Sequence, residues 1–201
     1  VENKIVVTCR YVSVLMSAIL KAKGIPARCR AGFAPYFHEG VSMDHWINQY
    51  YSKEKERWIT FDADGFYEEG GMPLSQYDMP QESFDWAAEA YLATRSGKTD
   101  GRRFLYADRL GTCSLPALIR YLIYDFHALM NNELTYSFLP AYLDGRLDRL
   151  TEAELQKLDT LAELLLEPDK HFDRLCAFWE REREFRILNS PLVEAYDHLS
   201  S

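Results

Sequence analysis

The feature that most limits how this chain can fold is a change of hydrophobic period at Gly24-Ile25-Pro26. Before it, Val12, Leu15, Met16, Ile19 and Leu20 recur at helical spacing behind Cys9. Thr8 is placed to cap such a helix, and Gly24 followed by Pro26 is a stop signal for one. The pattern predicts a helix from Cys9 to about Lys23, after a short β-branched stretch over 4–8. Beyond the stop, Arg28 to Phe37 alternates as a strand does. Ala31, Phe33 and Pro35 fall on one face, Arg28, Arg30 and Gly32 on the other.

Gly40, Ser42 and Asp44 then read as a loop, followed by aromatic and β-branched strands over His45 to Tyr51 and Arg57 to Asp62. The charged turn Ser52-Lys53-Glu54-Lys55-Glu56 joins them as an antiparallel hairpin. Its length matters, because a slip of one residue turns every side chain to the opposite face. A four-residue turn over 52–55 sets Tyr51 opposite Glu56 and His45 directly opposite Asp62. A turn over 52–56 moves Asp62 to the other face.

Past the loop at Gly70-Gly71-Met72-Pro73 the pattern becomes helical. Helices are predicted over Ser83 to Thr94 and Ser114 to Asn132. A third runs from a capping box at Thr151-Glu152-Ala153-Glu154 to about Leu166, and a fourth covers Pro168 to Ile187 with Phe172, Leu175, Phe178 and Trp179 on its apolar stripe. The fold class is therefore α+β, a helix on a small antiparallel sheet with a mainly helical C-terminal half. The expected division is a core over 1–75 and a helical region over 76–201.

Charge and cysteine usage narrow the function. The formal net charge is −8, and the first 75 residues hold nine Lys/Arg against nine Asp/Glu, so the acidity lies in the C-terminal part. A net negative chain lacks the excess of Lys and Arg that neutralises phosphates, and no nucleic-acid partner is expected. No apolar run is long enough to span a bilayer and no secretory signal opens the chain, which begins on Val. Cys9, Cys29, Cys113 and Cys176 form no CxxC pair. Four free thiols fit a reducing, cytoplasmic setting, with two structural disulfides as the alternative.

Cys9, His45 and Asp62 are the candidate chemistry. A cysteine attacks carbonyl carbon as a thiolate, and the first turn of a helix favours an anion through its unpaired N–H groups. An imidazole beside the thiol takes its proton and later delivers it to a leaving amine. A carboxylate behind the ring fixes its tautomer and orientation.

The stretch CRYVSVLMSAILKAKGIPARCRAGFAP, followed by DHWINQYY and ERWITFDAD, resembles the transglutaminase-like superfamily with its papain-like Cys-His-Asp core. The ordered elements are Cys9, Gly24 to Arg28, Gly32, His45-Trp46 and Trp58 to Asp62. The resemblance spans roughly residues 5–65. It implies Cys9 as nucleophile, His45 as general base and Asp62 as orienting carboxylate. Ala63 stands where the family often has Pro, and Thr8 where a Gly-containing turn is common. Only eight residues precede Cys9, so the upstream helices are expected to be lacking, which leaves the Cys9 backbone N–H as the assignable oxyanion donor. The zinc-bearing amidases of this kind need CxxC pairs, and arylamine acetyltransferases an Arg-Gly-Gly lead-in to the Cys; both are absent here.

The implied activity is a thiol-dependent hydrolase or acyltransferase acting on amide or peptide bonds through an acyl-enzyme, without metal or cofactor. Its partner is a peptide or amide-bearing substrate, and no membrane partner is expected. The alternative is a catalytically inactive binding module whose interaction surface is the acidic helical half. Asp44 and Asp64 are the other carboxylates near the expected site. Trp46 and Trp58 read as core aromatics or as walls of an acyl channel, His38 as a loop residue, and Cys29, Cys113 and Cys176 as structural. His127, His171 and His198 read as helix-face histidines, and the charge run Glu180 to Arg186 as a solvated helix face.

Overall fold

The computed structural model describes residues 7–64, 75–106, 109–112, 115–132 and 138–187. Helix α1 (Cys9–Ala22) is followed by β1 (Ala27–His38), β2 (Val41–Ser52) and β3 (Arg57–Phe61). Then come β4 (Asp85–Trp86), α2 (Ala87–Arg95), β5 (Phe104–Tyr106) and β6 (Arg109–Thr112). Helices α3 (Leu115–Leu129), α4 (Glu152–Leu166) and α5 (Phe172–Arg181) complete the order. The fold is α+β, with a Cys-bearing helix on a mostly antiparallel sheet and a mainly helical C-terminal half. Among the described residues no helix is long and apolar enough to cross a membrane. Cys113 and His198, and the start of the 4–8 stretch, lie outside the described residues.

Helix α1 begins and ends where the sequence places it. Thr8 is extended at the N-cap, although its side chain makes no capping bond. Gly24 has φ +74°, and the N–H groups of Gly24 and Ile25 reach back to Lys21 O and Leu20 O, a Schellman stop. The buried face differs from expectation. It is made of Arg10, Ser13 and Ser17, while Leu15 and Ile19 are exposed. Small serines let the helix lie close on β2: Ser13 Oγ donates to Trp46 O at 2.9 Å, and Asn48 Nδ2 donates to Ser13 O and Ser17 Oγ at 2.8 Å each.

Strand β2 starts earlier than expected, so Ser42 and Asp44 are strand residues and not a loop. The reason is a partner the local pattern cannot reveal. Ser42 and Met43 pair in parallel with Phe104 and Leu105 of β5. Since β1 pairs along the other side of β2, β3 and β5 both occupy the side away from β1. Strand β3 covers residues 48–52 and β5 covers 42–43. Among the described residues no strand pairs with 44–47 on that side. The sheet is thus forked at His45.

The hairpin register also departs from expectation. The turn has four residues, but they are 53–56, so Ser52 pairs with Arg57 and Gln49 with Thr60. Lys55 N–H donates to Ser52 Oγ, and Glu56 takes φ +51°, which closes the turn one residue later. The register therefore shifts by two and His45 does not face Asp62. Because the shift is even, Asp62 keeps the parity of His45.

The core lies between the Cys29, Ala31, Phe33 and Trp46 face of the sheet and helices α2 to α5. A smaller cluster on the opposite face joins Ala34, Tyr36, Ile47, Met79, Phe84 and Trp86. Gly32 is required there: a Cβ at this position would lie 2.5 Å from both Asp85 O and the Phe84 ring. At the β1 edge, Arg30 forms two bonds of 2.8 Å with Asp125 of α3, and Asp125 also accepts the Ala31 N–H at 2.9 Å. That buried carboxylate closes an open sheet edge.

Helical boundaries shift in places. The segment expected to be helical from Ser83 is a 3₁₀ turn over Gln81–Ser83 and then β4, because Trp86 and Asp85 pair with Gly32 and Phe33. The capping box at Thr151 is present and α4 ends at Leu166. Helix α5 is shorter than expected, ending at Arg181 before a 3₁₀ turn over Arg183–Phe185. The charge run is correspondingly not a solvated face of i,i+4 pairs. Lys157 of α4 bridges Glu182 and Glu184, and Arg186 is buried against Trp179. His127 is no helix-face residue either. It is buried, its Nδ1 donates to Ile123 O, its Nε2 accepts from Ile187 N, and burial pushes its pKa down to about 4.

Candidate active site

Cys9 is the first residue of α1, half-buried and in no disulfide. Its position leaves its backbone N–H outside the helical ladder, and the first turn carries no acidic residue to oppose an anion. His45 stands in the fork of β2, 2 % exposed. Its Nε2 lies 2.8 Å from Asp62 Oδ2. It also shares a side-chain hydrogen bond with Cys9. With Nε2 committed to the carboxylate, Nδ1 is the nitrogen left for the sulfur.

Asp62 reaches His45 because the chain leaves β2 after Phe61. The Asp62 N–H donates to Gln76 O at 3.0 Å, and Thr60 bridges to Met79, so the strand end bends toward a different segment. Diagonal cross-strand neighbours are about 7–8 Å apart at Cα, a gap that Asp and His side chains span.

The carboxylate is held by more than His45. The Tyr36 hydroxyl donates to Oδ2 at 2.8 Å, and the Asp64 N–H donates to Oδ1 at 3.0 Å. Burial alone would raise the Asp62 pKa, but the bonds from His45, Tyr36 and Asp64 bring it below its ordinary value. For His45, burial works to lower the pKa. The hydrogen bonds to Asp62 and Cys9, with their charges, outweigh it and raise the value to about 10. The partners on both sides thus favour the protonated ring. Phe37 packs edge-on against it, with ring centres 4.9 Å apart.

The structure thus brings Cys9, His45 and Asp62 together. The other carboxylates take different roles: Asp44 accepts from the Tyr121 hydroxyl, while Asp64 gives its backbone N–H to Asp62 and its own carboxylate feels the charges of His45 and Asp62. Trp46 is buried against Tyr124 on the core side. Trp58 is half-buried beneath the Arg28 guanidinium and is not a core residue. His38 is exposed at the end of β1, not in a loop, and Cys29 is buried in the core. Among the described residues no cluster of His, Cys, Asp or Glu is arranged to hold a metal.

Sequence reasoning passed over Tyr36 and Phe37. The signal was present in the alternation, since Tyr36 has the parity of Gly32 and Gly32 pairs with His45.

The family model for the transglutaminase-like superfamily matches residues 4–63, a partial match that takes in Cys9, His45 and Asp62. No curated protein and no solved structure matches the chain.

Proposed function

From the transglutaminase-like stretch over residues 4–63, we propose that the chain is a thiol-dependent hydrolase or acyltransferase of amide or peptide bonds. The observation that carries this reading is His45, hydrogen-bonded to Cys9 on one side and to Asp62 on the other. Cys9 is the nucleophile, His45 the acid–base group and Asp62 its orienting carboxylate.

The contacts of His45 support the following steps. The Cys9 sulfur attacks the amide carbonyl carbon as its proton passes to His45. The carbonyl oxygen becomes an oxyanion, met by the Cys9 backbone N–H. His45 gives its proton to the departing amine as the C–N bond breaks, leaving a thioester on Cys9. Water or a second amine, losing a proton to His45, then attacks that thioester and frees the thiol. Asp62, fixed by Tyr36 and Asp64, keeps the ring aligned through both proton transfers. Neither a metal nor a cofactor is required by these steps. A reducing compartment such as the cytoplasm suits a free nucleophilic thiol, and the substrate is a peptide or another amide-bearing molecule.

The test is capture of the acyl-enzyme. Incubation with an activated ester and intact-mass spectrometry is expected to show one acyl group on Cys9, with none on Cys9→Ser. Acylation equally fast in His45→Ala would overturn the triad and favour an inactive binding module.

A further inference from the structure

A cavity of about 470 Å³ opens on the sheet at a distance from Cys9, a size suited to a small ligand or a short peptide segment. Its floor includes Arg28, Gln49 and Thr60. Gln49 shares the β2 face of His45, four residues along, which is about 13 Å at strand spacing. Buried Ile47 lies between them, so the cavity and the thiol site are separate places.

Arg28 is held there as a receptor. Its guanidinium stacks 3.9 Å from the centre of the Trp58 ring. Its Nε donates to Gln49 Oε1 at 2.8 Å, and Gln49 Nε2 donates onward to Thr60 Oγ1 at 3.0 Å. Both terminal nitrogens are thereby aimed at one planar acceptor. Asp169 fills that place, with Nη1–Oδ1 at 2.8 Å and Nη2–Oδ2 at 3.0 Å. The partners are unequal: the Arg28 side chain is 13 % exposed and the Asp169 side chain 55 %. Glu167, Pro168 and Asp169, just after α4, line the same cavity.

We propose that this cavity docks an acidic peptide at Arg28, and that residues 167–169 are its internal occupant. A guanidinium fixed by stacking and by its Nε recognises a carboxylate bidentately, with little ordering left to lose. Arg57 and Lys170 also line the cavity, each already paired with a carboxylate, Asp78 and Glu167 respectively, so Arg28 is the anchor for an acidic chain. The tethered Asp169 carboxylate competes at an effective concentration in the millimolar range, so its removal unmasks the site. This inference does not depend on any chemistry at Cys9.

The experiment titrates acetyl-Glu-Pro-Asp-amide into the wild type and Asp169→Asn, following the Trp58 indole N–H by NMR, with acetyl-Gln-Pro-Asn-amide as control. Asp169→Asn is expected to bind the acidic peptide at least about tenfold more tightly than the wild type. Adding Arg28→Lys is expected to abolish the gain, and the neutral peptide to shift nothing. Equal affinity in wild type and Asp169→Asn, no binding to the folded variant, or equal binding of the neutral peptide overturns the proposal. Should Asp169→Asn not fold, the wild type titrated to tens of millimolar peptide decides. A saturable shift with the acidic peptide alone supports the site, and its absence overturns it.

Discussion

His45 Nε2 and Asp62 Oδ2 lie 2.8 Å apart although the two residues are two positions out of register across the hairpin. The contact survives the shift because it preserves parity, and because β3 parts from β2 after Phe61. The fork between β3 and β5 leaves His45 without a strand neighbour on one side among the described residues. There the ring bridges the thiol at the start of α1 and the carboxylate at the end of β3.

Tyr36 is expected to matter through Asp62. Its hydroxyl is one of three donors on that carboxylate. A bond to a charged acceptor contributes about 1.5–3 kcal/mol. Tyr36→Phe is expected to lower stability by that order at neutral pH, measured by urea unfolding. The loss should shrink in acid, where Asp62 takes up a proton and no longer accepts as an anion.

The pH dependence of stability has a defined sign at His45. Its folded pKa is raised from 6.5 to about 10, so the folded state binds the proton more tightly than the unfolded one. The resulting stabilisation is complete below about pH 6.5 and is lost as pH rises through about 10. The stability gap between wild type and His45→Gln should therefore narrow from about pH 6 to about pH 10. A gap that widens over that interval would contradict the hydrogen-bonded imidazolium. Asp62 acts in the opposite range: its lowered pKa stabilises above the ordinary carboxylate value and is lost in acid.

Gly32 lets the Phe84–Asp85 segment lie close on β1. A methyl group there would meet backbone and a packed ring at 2.5 Å. Gly32→Ala is expected to cost about 1–3 kcal/mol through overpacking, read from denaturant midpoints. A neutral substitution would mean that the segment at Phe84 and Asp85 gives way freely.

The Arg30–Asp125 pair fastens α3 to the sheet edge, and both side chains are almost fully buried. Removing one partner leaves a buried charge, so Asp125→Ala is expected to cost about 3–5 kcal/mol. The double change Arg30→Met with Asp125→Leu should recover part of that loss. A double-mutant cycle by urea unfolding measures the difference.

Local pattern revealed α1, its stop at Gly24, the hairpin and the capping box at Thr151, because caps, turns and periodicity are decided over a few residues. The three candidate site residues were legible from their order and from the parity of the hairpin. What escaped was set by distant partners. Ser42 and Met43 are drawn into β2 by β5, more than 60 positions along the chain, while Asp44 pairs with Phe33 of β1. The polar packing face of α1 depends on Asn48 and the Trp46 carbonyl, which no helical periodicity encodes. Asp125 resembles any helix-surface acid until the β1 edge is placed beside it.

The most direct test of the site is the rate at which iodoacetamide alkylates each cysteine near pH 6, resolved by peptide mass spectrometry. Cys9 paired with the His45 imidazolium is expected to react at least about tenfold faster than the other cysteines. In His45→Ala that advantage should disappear, and in Asp62→Asn it should fall. Slow labelling of Cys9 at the rate of Cys176, unchanged by His45→Ala, would contradict a catalytic thiol in this protein.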